Sequence, residues 1–491
     1  MMSALPETLP VGLASAHYLA AAGDRRALSL ALVAAGRRSE PARLCLDAAI
    51  AQHDGDLDRC VALYKRAFFA ARGSEKAYVV DLLVPIYITQ GRIDEAEALL
   101  DDDRGVPEME PALQALKAVC FARRGRTSAA RILRREIERM DCSHSVLVAG
   151  RVSQRLALSC FFSHAYDEAL NHADRGARIY WSIGAGRLAA SAYSISYNVH
   201  HTVTGDIQEA RRFAELLAQA AQAGGDTSFA VLGLAAQYEI AAEMADEEQL
   251  VLLRDRLRRE ALPELYQERF GTRVADFIPF AWSGDFAAFR AGMVVITDAL
   301  ATTSGMKSLC VAFQALAQVA SGDDEAARRL SRQALHLAGH KAKSSDPAYE
   351  RRYRRLGRAL AAVGCLLIGD RVRATRALTT KDARSSLESS ALEAVANGAS
   401  WTNAPQRIRG YARIVEAARR SVRNRVAPEK LTSSEFFVLR SFADGMTTGQ
   451  IARESGRSVR TIQNHAYAIM QKLNVGDRLA AVAQARRTGL I

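Results

Sequence analysis

The segment from residue 457 to residue 467 concentrates side chains that can hydrogen-bond to nucleic acid. Gln463 and Asn464 carry amides, and each amide can pair bidentately with an adenine edge. Guanidinium and hydroxyl groups in the same segment suit phosphate oxygens. These groups belong to Arg457, Ser458, Arg460, Thr461 and Tyr467. The pattern predicts two residues that read bases and five others that contact phosphates.

A helix is needed to present these side chains together. The pattern predicts that it begins at Ser458, which is a good N-cap, and ends near Leu473. One face, at i, i+3, i+4 spacing, is predicted to pack inward and carries Ile462, His465, Ile469 and Leu473. The opposite face carries Arg460, Gln463, Asn464 and Tyr467. We interpret His465 as a packed or hydrogen-bonded structural residue.

Two shorter helices are predicted before this one. Thr432 and Glu435 form one capping-box pattern, and Thr447 and Gln450 form another. Gly445 suits the end of the first helix, and a second glycine, at position 456, suits the turn before the third. Three capped helices at this spacing predict a helix-turn-helix, whose second motif helix enters the major groove.

Charge supports a polyanionic partner. The chain has 66 Lys and Arg against 54 Asp and Glu, a net charge of +12, and residues 401–491 contain 16 basic and 6 acidic side chains. A helix predicted from Gln406 to about Arg425 holds seven of the basic residues: Arg407, Arg409, Arg413, Arg419, Arg420, Arg423 and Arg425. Two interpretations of them stay open, phosphate contact and a solvated helix face.

The first 380 residues repeat a helix, a glycine turn and a second helix. The turns are Gly23-Asp24, Gly55-Asp56, Gly91-Arg92, Gly125-Arg126, Gly205-Asp206, Gly284-Asp285, Gly322-Asp323 and Gly369-Asp370, with weaker copies at His164-Ala165 and Ala245-Asp246. They are spaced by 32 to 47 residues. Such a period predicts helical hairpins stacked into an α-solenoid, whose inner surface forms a binding groove.

Other protein classes find little support in the sequence. The seven cysteines include no CxxC pair and are predicted to be reduced core residues of a cytoplasmic protein. The longest uncharged apolar run, 359–368, is too short to cross a bilayer, so no membrane association is predicted. We find no nucleotide-binding loop, HExxH or GxSxG motif. The sequence therefore predicts no enzyme, no cofactor and no metal.

The C-terminal segment resembles the LuxR-type (GerE-like) helix-turn-helix family. The resemblance rests on Leu431-Thr432, Glu435, Val438-Leu439, Gly445, Ile451-Ala452, Gly456, Ser458, Thr461-Ile462, His465, Ile469, Lys472-Leu473, Val475, Arg478, Ala481-Val482 and Gly489-Leu490-Ile491. It implies a four-helix domain with the third helix in the major groove. The family pattern is not kept at four positions, where this chain has Ser434, Ser455, Arg457 and Gln463. Site preference is therefore expected to differ from that of relatives.

The resemblance also implies that a fourth helix, from about Asp477 to Arg487, forms a dimer contact. This helix contains Ala480, Ala481, Val482 and Ala485, small apolar residues that permit close helix approach. The alternative is that Val482 or Ala485 belongs to the core of the domain.

The repeats resemble tetratricopeptide repeats at Gly91-Arg92-Ile93-Asp94-Glu95-Ala96 with Leu99, and at Gly205-Asp206-Ile207-Gln208-Glu209-Ala210. The predicted fold is thus all-α, with a TPR-like solenoid of helical hairpins followed by a small four-helix LuxR-type domain. The predicted boundaries are 1–385 for the repeats, 386–428 for a helical linker and 429–491 for the DNA-binding domain.

One aromatic stretch of the repeats is a candidate effector site. Its residues are Tyr193, Tyr197, Asn198 and His201, and the alternative is an aromatic hairpin core. The function that this sequence predicts is a dimeric transcription regulator of a bacterial cytoplasm, bound to the nucleoid through double-stranded DNA. Its repeats would sense a peptide, small molecule or protein, and RNA polymerase is a further expected partner. Two alternatives are a TPR-type adaptor tethered to DNA and a sigma-factor promoter-reading domain.

Overall fold

The computed structural model describes residues 12–22, 25–35, 39–101, 107–142, 145–260, 269–340, 348–380, 387–425, 431–473, 475–487 and 490–491. These residues form 26 α-helices and no strand, which confirms the all-α prediction. The predicted Gly23-Asp24 turn, Gly489 and the predicted domain boundaries at 385 and 428 lie outside them.

The helices before the C-terminal domain are α1 (Leu13–Ala22), α2 (Arg25–Ala35), α3 (Glu40–His53), α4 (Leu57–Ala70), α5 (Lys76–Thr89), α6 (Ile93–Asp101), α7 (Glu110–Arg123), α8 (Thr127–Ile137), α9 (Val146–Phe162), α10 (Tyr166–Ser182), α11 (Gly186–Val199), α12 (Ile207–Ala223), α13 (Thr227–Met244), α14 (Glu247–Glu260), α15 (Phe270–Ser283), α16 (Phe286–Ala299), α17 (Ser304–Ser321), α18 (Asp324–Ala338), α19 (Ala348–Leu367), α20 (Arg371–Leu378), α21 (Leu387–Ala396) and α22 (Arg409–Arg425). The C-terminal domain contains α23 (Ser433–Ala443), α24 (Thr448–Glu454), α25 (Val459–Lys472) and α26 (Arg478–Arg487). None of the helices in the described ranges is long and apolar enough to span a membrane.

The predicted glycine turns join the helices of each hairpin. Gly205, for example, has a φ of 70°, a left-handed conformation that glycine adopts without strain. The next residue, Asp206, caps the following helix by accepting a hydrogen bond from the backbone N–H of Glu209 at 3.1 Å. His164 and Ala245 also have positive φ values, of 64° and 60°, so both weak copies of the turn are confirmed.

The helices form two compact units. Among the described residues, the first unit contains those up to Tyr238 and those from Val251 to Glu260. The second contains Glu239–Leu250 and those from Arg269 onwards, including the C-terminal domain. Consecutive helices pair within each unit, for example α9 with α10 and α17 with α18.

The interior of the first unit contains a buried ionic cluster as well as small apolar residues. Asp81 is fully buried and pairs with Arg151, Arg155 and His17. Burial raises the pKa of Asp81, but the two guanidinium groups and the hydrogen bond from His17 lower it by more than burial raises it, so the carboxylate stays charged. Burial lowers the pKa of His17. These two shifts favour a charged aspartate beside a neutral histidine.

In the second unit, α22 packs against α15, α17 and α21. Gly410 permits this packing, because a Cβ atom at that position would lie 1.9 Å from the carbonyl oxygen of Ala242. The indole Nε1–H of Trp282 donates to the carbonyl oxygen of Gly410 at 2.9 Å. The helix that precedes the C-terminal domain is thus part of the packed repeat layer.

All seven cysteines are free, and six of them are buried, as predicted for reduced core residues. Burial raises the pKa of Cys45 and of Cys310 to about 12. A thiol with so high a pKa carries little thiolate and reacts poorly. These cysteines therefore contribute to packing.

Candidate nucleic-acid interface

Two capping boxes fix the first two helices of the C-terminal domain. The carboxylate of Glu435 accepts a hydrogen bond from the backbone N–H of Thr432 at 2.6 Å, and the Thr432 hydroxyl accepts from the Glu435 N–H at 3.3 Å. Gln450 and Thr447 exchange the same pair of bonds at 2.7 and 3.4 Å. Both capping boxes were predicted and are confirmed.

Glu435 also links α23 to the far end of α25. Its carboxylate is 5% exposed and accepts two hydrogen bonds from the ammonium of Lys472, at 2.6 and 2.8 Å. Burial raises the pKa of Glu435, but the hydrogen bonds from Lys472 and Thr432 lower it by more than burial raises it, so its pKa lies below the usual value. This ion pair holds the third helix of the domain against the first.

The turn before α25 leads directly into its exposed N-terminus. Gly456 has a φ of 65°, and Ser458 caps the helix by accepting from the backbone N–H of Thr461 at 3.1 Å. The Ser458 and Thr461 hydroxyl oxygens lie 2.8 Å apart. A helix N-terminus with free N–H groups and hydroxyls favours anions such as phosphate.

The exposed face of α25 carries the predicted base-reading residues. Gln463 and Asn464 are both exposed, and the Tyr467 side chain is 63% exposed. Arg460 lies one turn before Asn464 on the same face and is also exposed. The opposite face packs into the domain core through Ile462, Ala466, Ile469 and, just past the helix end, Leu473. The structure therefore brings the predicted contact residues together on one accessible surface.

His465 differs from its predicted position. It was predicted to pack inward, but it is half-buried and Ala466 occupies the core instead. The guanidinium Nη1 of Arg457 donates to His465 Nε2 at 3.0 Å. A guanidinium can only donate, so Nε2 of His465 is the acceptor in this bond. The histidine therefore orients Arg457, which precedes the helix.

Val459 is a surface feature that the sequence reasoning missed. It is the first residue of α25, and its side chain is 47% exposed beside Ser458 and Arg460. The signal was present in the sequence, because an apolar residue at this position falls outside the core face. An exposed aliphatic group at the start of a recognition helix can contact a thymine methyl.

The fourth helix, α26, has one face in the domain core. Ala481 and Ala485 are buried there, so the prediction that they lie at a dimer contact is wrong and the alternative holds for Ala485. Their place in the core follows from the short distance between α26 and α23. Leu479 is 84% exposed on the other side, and Val482 is half-buried.

Most arginines of α22 and of the residues just before it bind groups of the same unit. Arg413 pairs with Glu247 and stacks on Trp282 and Trp401 at 4.7 and 5.3 Å from the ring centroids. The remaining contacts join Arg407 to Glu388, Arg409 to the carbonyl of Ala404, and Arg419 and Arg420 to Glu416. Neither predicted interpretation describes Arg413, because a fixed intramolecular pair is neither a phosphate contact nor a free solvated side chain.

The aromatic stretch of the first unit divides into a buried part and an exposed part. Tyr197 and His201 are buried, their rings stack at 5.1 Å, and the Tyr197 hydroxyl lies 3.2 Å from His201 Nδ1. Asn198 donates to a backbone carbonyl oxygen of its own helix at 2.7 Å. Tyr193 is partly exposed, and its hydroxyl accepts from the indole N–H of Trp181 at 2.9 Å. Only Tyr193 among the four candidates presents an accessible ring.

A five-residue π-helix, His200–Thr204, follows α11 in this stretch. His200 stacks on Phe213 of α12 at 5.4 Å with the planes 7° apart, and Tyr193 lies 6.1 Å from the same ring. Short π-helical segments are rare and occur often at functional sites. The exposed part of the stretch is therefore an aromatic surface at a local irregularity of the helix.

Comparison with known proteins identifies the C-terminal domain. Residues 429–485 match the family described as "Bacterial regulatory proteins, luxR family" (GerE). A segment of 79 residues is 32% identical to "Transcriptional regulatory protein LiaR" of Bacillus subtilis (strain 168). That match covers 16% of this chain and 37% of the relative, so the chain spans little more than a third of the length of the relative.

The matched residues coincide with the capping boxes, the turn and the exposed helix described above. The predicted resemblance is thereby confirmed for this part of the chain. Residues 429–485 therefore form a helix-turn-helix domain that matches the luxR family of bacterial regulatory proteins.

Proposed function

We propose that the protein is a sequence-specific transcription regulator that reads DNA with α25. The observation that carries the proposal is the exposed face of this helix, where Gln463 and Asn464 are exposed between Arg460 and Tyr467. Amides at this position suit adenine edges in the major groove, and the flanking guanidinium and hydroxyl suit phosphates.

The net charge of the C-terminal domain supports a DNA interface that is formed mainly by this domain itself. Residues 429–491 contain nine basic and five acidic side chains, whereas the larger excess just before them lies in the helix α22 region. Because Arg407, Arg413 and Arg420 have carboxylate partners, they add less to phosphate binding than their number indicates. The proposed phosphate contacts are therefore Arg457, Arg460 and the hydroxyls near the start of α25.

Base reading is tested by substitutions on α25 in the full chain. A preferred duplex is first selected from a randomised library, and affinity is then measured by fluorescence anisotropy. Gln463→Ala and Asn464→Ala should each cost about 1–3 kcal/mol on the preferred duplex and change binding to random duplex little. Gln471→Ala, an exposed amide near the end of the same helix, is the matched control and should change neither.

Phosphate contact has a different signature. Arg460→Ala should weaken binding to all sequences alike and reduce the slope of log affinity against log salt by about 0.9. If the two amide substitutions weaken binding to random duplex as much as to the preferred duplex, base reading by α25 is wrong.

Sensing by the helical repeats is the second part of the proposal. The candidate effector residues in the first unit remain Tyr193, Tyr197, Asn198 and His201. Of these, Tyr193 has the accessible ring, which lies beside Trp181 on the exposed side of the aromatic stretch. A reporter fused to a bound promoter separates a regulator from an adaptor. Only a regulator changes transcription at the site that it occupies.

A further inference from the structure

A cleft of 630 Å³ lies in the second unit between α26 and the end of α19. One wall is formed by Leu366, Leu367 and Ile368, of which Leu367 and Ile368 are each only 2% exposed, and the other by the exposed Leu479 and the half-buried Val482. Sites for small molecules have volumes of about 300–1,000 Å³ and are mainly apolar, with a few polar groups. The cleft matches that description in size, and Leu366, Leu479 and Val482 give it accessible apolar side chains beside its polar groups.

Three guanidinium groups line the cleft, and no carboxylate does so among the described residues. Arg371 is exposed and forms no ion pair with the described part of the chain. Arg419 lies 3.9 Å from Glu416, whose carboxylate Arg420 approaches more closely. The third, Arg486, donates to a backbone carbonyl oxygen at 2.8 Å. The cleft therefore carries positive charge that its own lining does not neutralise.

Backbone geometry gives Arg419 access to this space. Gly398 has a φ of 124°, and a Cβ atom at that position would lie 3.1 Å from Arg419 Nη1. The absent side chain leaves room for the guanidinium beside the loop after α21. Neighbouring Asn397 and, on α26, Gln484 add amide groups to the lining. Charge-assisted hydrogen bonds from the guanidinium groups and a neutral hydrogen bond from the exposed Asn397 are thus both offered to one ligand head group.

We propose that this cleft binds a small amphipathic anion, an acidic head group of the carboxylate or phosphate-monoester class on a short apolar chain. The guanidinium groups match the head group, and the accessible side chains of Leu366, Leu479 and Val482 match the apolar chain. A metal cation or a polyamine is disfavoured, because the lining has three positive charges and no acid. This inference goes beyond the effector residues of the proposed function, which lie in the first unit, and adds a separate ligand site in the second unit.

The position of the cleft connects the ligand to the DNA-binding domain. Leu479 and Val482 belong to α26, which packs against the helix-turn-helix core through Ala481, Ala485 and the half-buried Val482. A ligand in the cleft covers the accessible apolar face of α26. Any pairing of two copies through that face and occupation of the cleft therefore exclude each other.

Direct titration of the full chain without DNA tests the proposal. Decanoate and decyl phosphate are titrated by isothermal calorimetry, with decanol as the neutral control. We expect saturable one-site binding of at least one anion, and the comparison of the two identifies the head group. The double substitution Arg371→Gln/Arg419→Gln should raise the dissociation constant about tenfold, since it removes two charge-assisted hydrogen-bond donors whose contribution is reduced by partial solvation. Arg376→Gln, an exposed arginine of α20 outside the lining, should leave it unchanged.

Hydrogen exchange locates the site independently. Bound anion should slow exchange in 366–371 and in α26. The proposal is overturned if neither anion binds saturably, if decanol binds equally well, or if the double substitution has no more effect than Arg376→Gln. Because no DNA is present, such a failure leaves the DNA-binding proposal intact, and loss of base reading by α25 leaves this one intact.

Discussion

Replacing Glu435 separates the capping box of the C-terminal domain from its ion pair. Glu435→Gln keeps an oxygen that accepts from the backbone N–H of Thr432 but removes the charge that Lys472 contacts at 2.6 and 2.8 Å. A hydrogen bond to a charged group contributes about 1.5–3 kcal/mol, and we expect about half of that here, because the Lys472 side chain is 34% exposed. The expected loss is about 1–1.5 kcal/mol.

Glu435→Ala should cost more, because it also removes the cap. Loss of a capping side chain costs about 1 kcal/mol, so the total is about 2–3 kcal/mol. A domain of this size has a free energy of unfolding of about 3–9 kcal/mol. The alanine variant should therefore raise the open population of the DNA-binding domain roughly 30- to 150-fold, since every 1.4 kcal/mol is a factor of ten.

Native-state hydrogen exchange of the full chain measures this loss where it occurs. The opening free energy is read from the core amides of Val438, Leu439 and Ile469, and Glu454→Gln is the matched exposed control. A double-mutant cycle with Lys472→Met should give a coupling energy of about 1 kcal/mol. A coupling energy near zero would refute the assignment of stability to this ion pair.

Acid adds a check with a defined sign. The folded pKa of Glu435 lies below its usual value, so its contribution to stability is complete above about pH 4.5. The contribution is lost as pH falls through the folded pKa. Glu435→Gln should therefore have a flatter stability profile in this acidic range than the parent.

Three further outcomes are expected. Gly410→Ala should cost about 1–3 kcal/mol in thermal unfolding, because its Cβ would lie 1.9 Å from a carbonyl oxygen of α13, whereas Gly449→Ala meets nothing within 4 Å and should be neutral or stabilising. Leu479→Glu should stay folded by circular dichroism, and it should abolish in sedimentation any dimer formed through α26. Ala485→Glu should unfold the domain, since Ala485 is fully buried. A folded Ala485→Glu protein would contradict the assignment of this residue to the core. Burial lowers the pKa of His17, so the stability of the first unit should fall as pH drops below about 6.5. Below that pH the unfolded histidine gains a proton that the folded one does not. His17→Gln should therefore reduce the dependence of the free energy of unfolding on pH, measured by denaturant titration.

The features that the sequence predicted best are those decided by near neighbours in the chain. Thr432 with Glu435 and Thr447 with Gln450 satisfy backbone groups three residues apart, so no tertiary information is needed. The same holds for the hairpin turns. Even His164 and Ala245, which pay a steric cost for a positive φ, adopt it because the repeat length requires a turn there.

Features decided by distant partners were not predictable. Whether His465 or Ala466 enters the core depends on how α25 rotates against α23, and both positions fit a helical period within one residue. Arg413 pairs with Glu247, which lies far away in sequence, so a count of charges could not show that Arg413 already has a carboxylate partner. The cleft beside α26 is likewise formed by segments that the chain brings together only on folding.

The packing of α22 gives the protein a built-in optical reporter. The chain has three tryptophans, and two of them, Trp282 and Trp401, lie against the guanidinium of Arg413, while the indole of Trp282 also bonds to Gly410. The third, Trp181, is 41% exposed in the first unit. In a Trp181→Phe protein, all indole emission therefore originates beside α22. A shift of that emission to longer wavelength would report the hydration of this helix as it leaves the repeat layer, without any added dye.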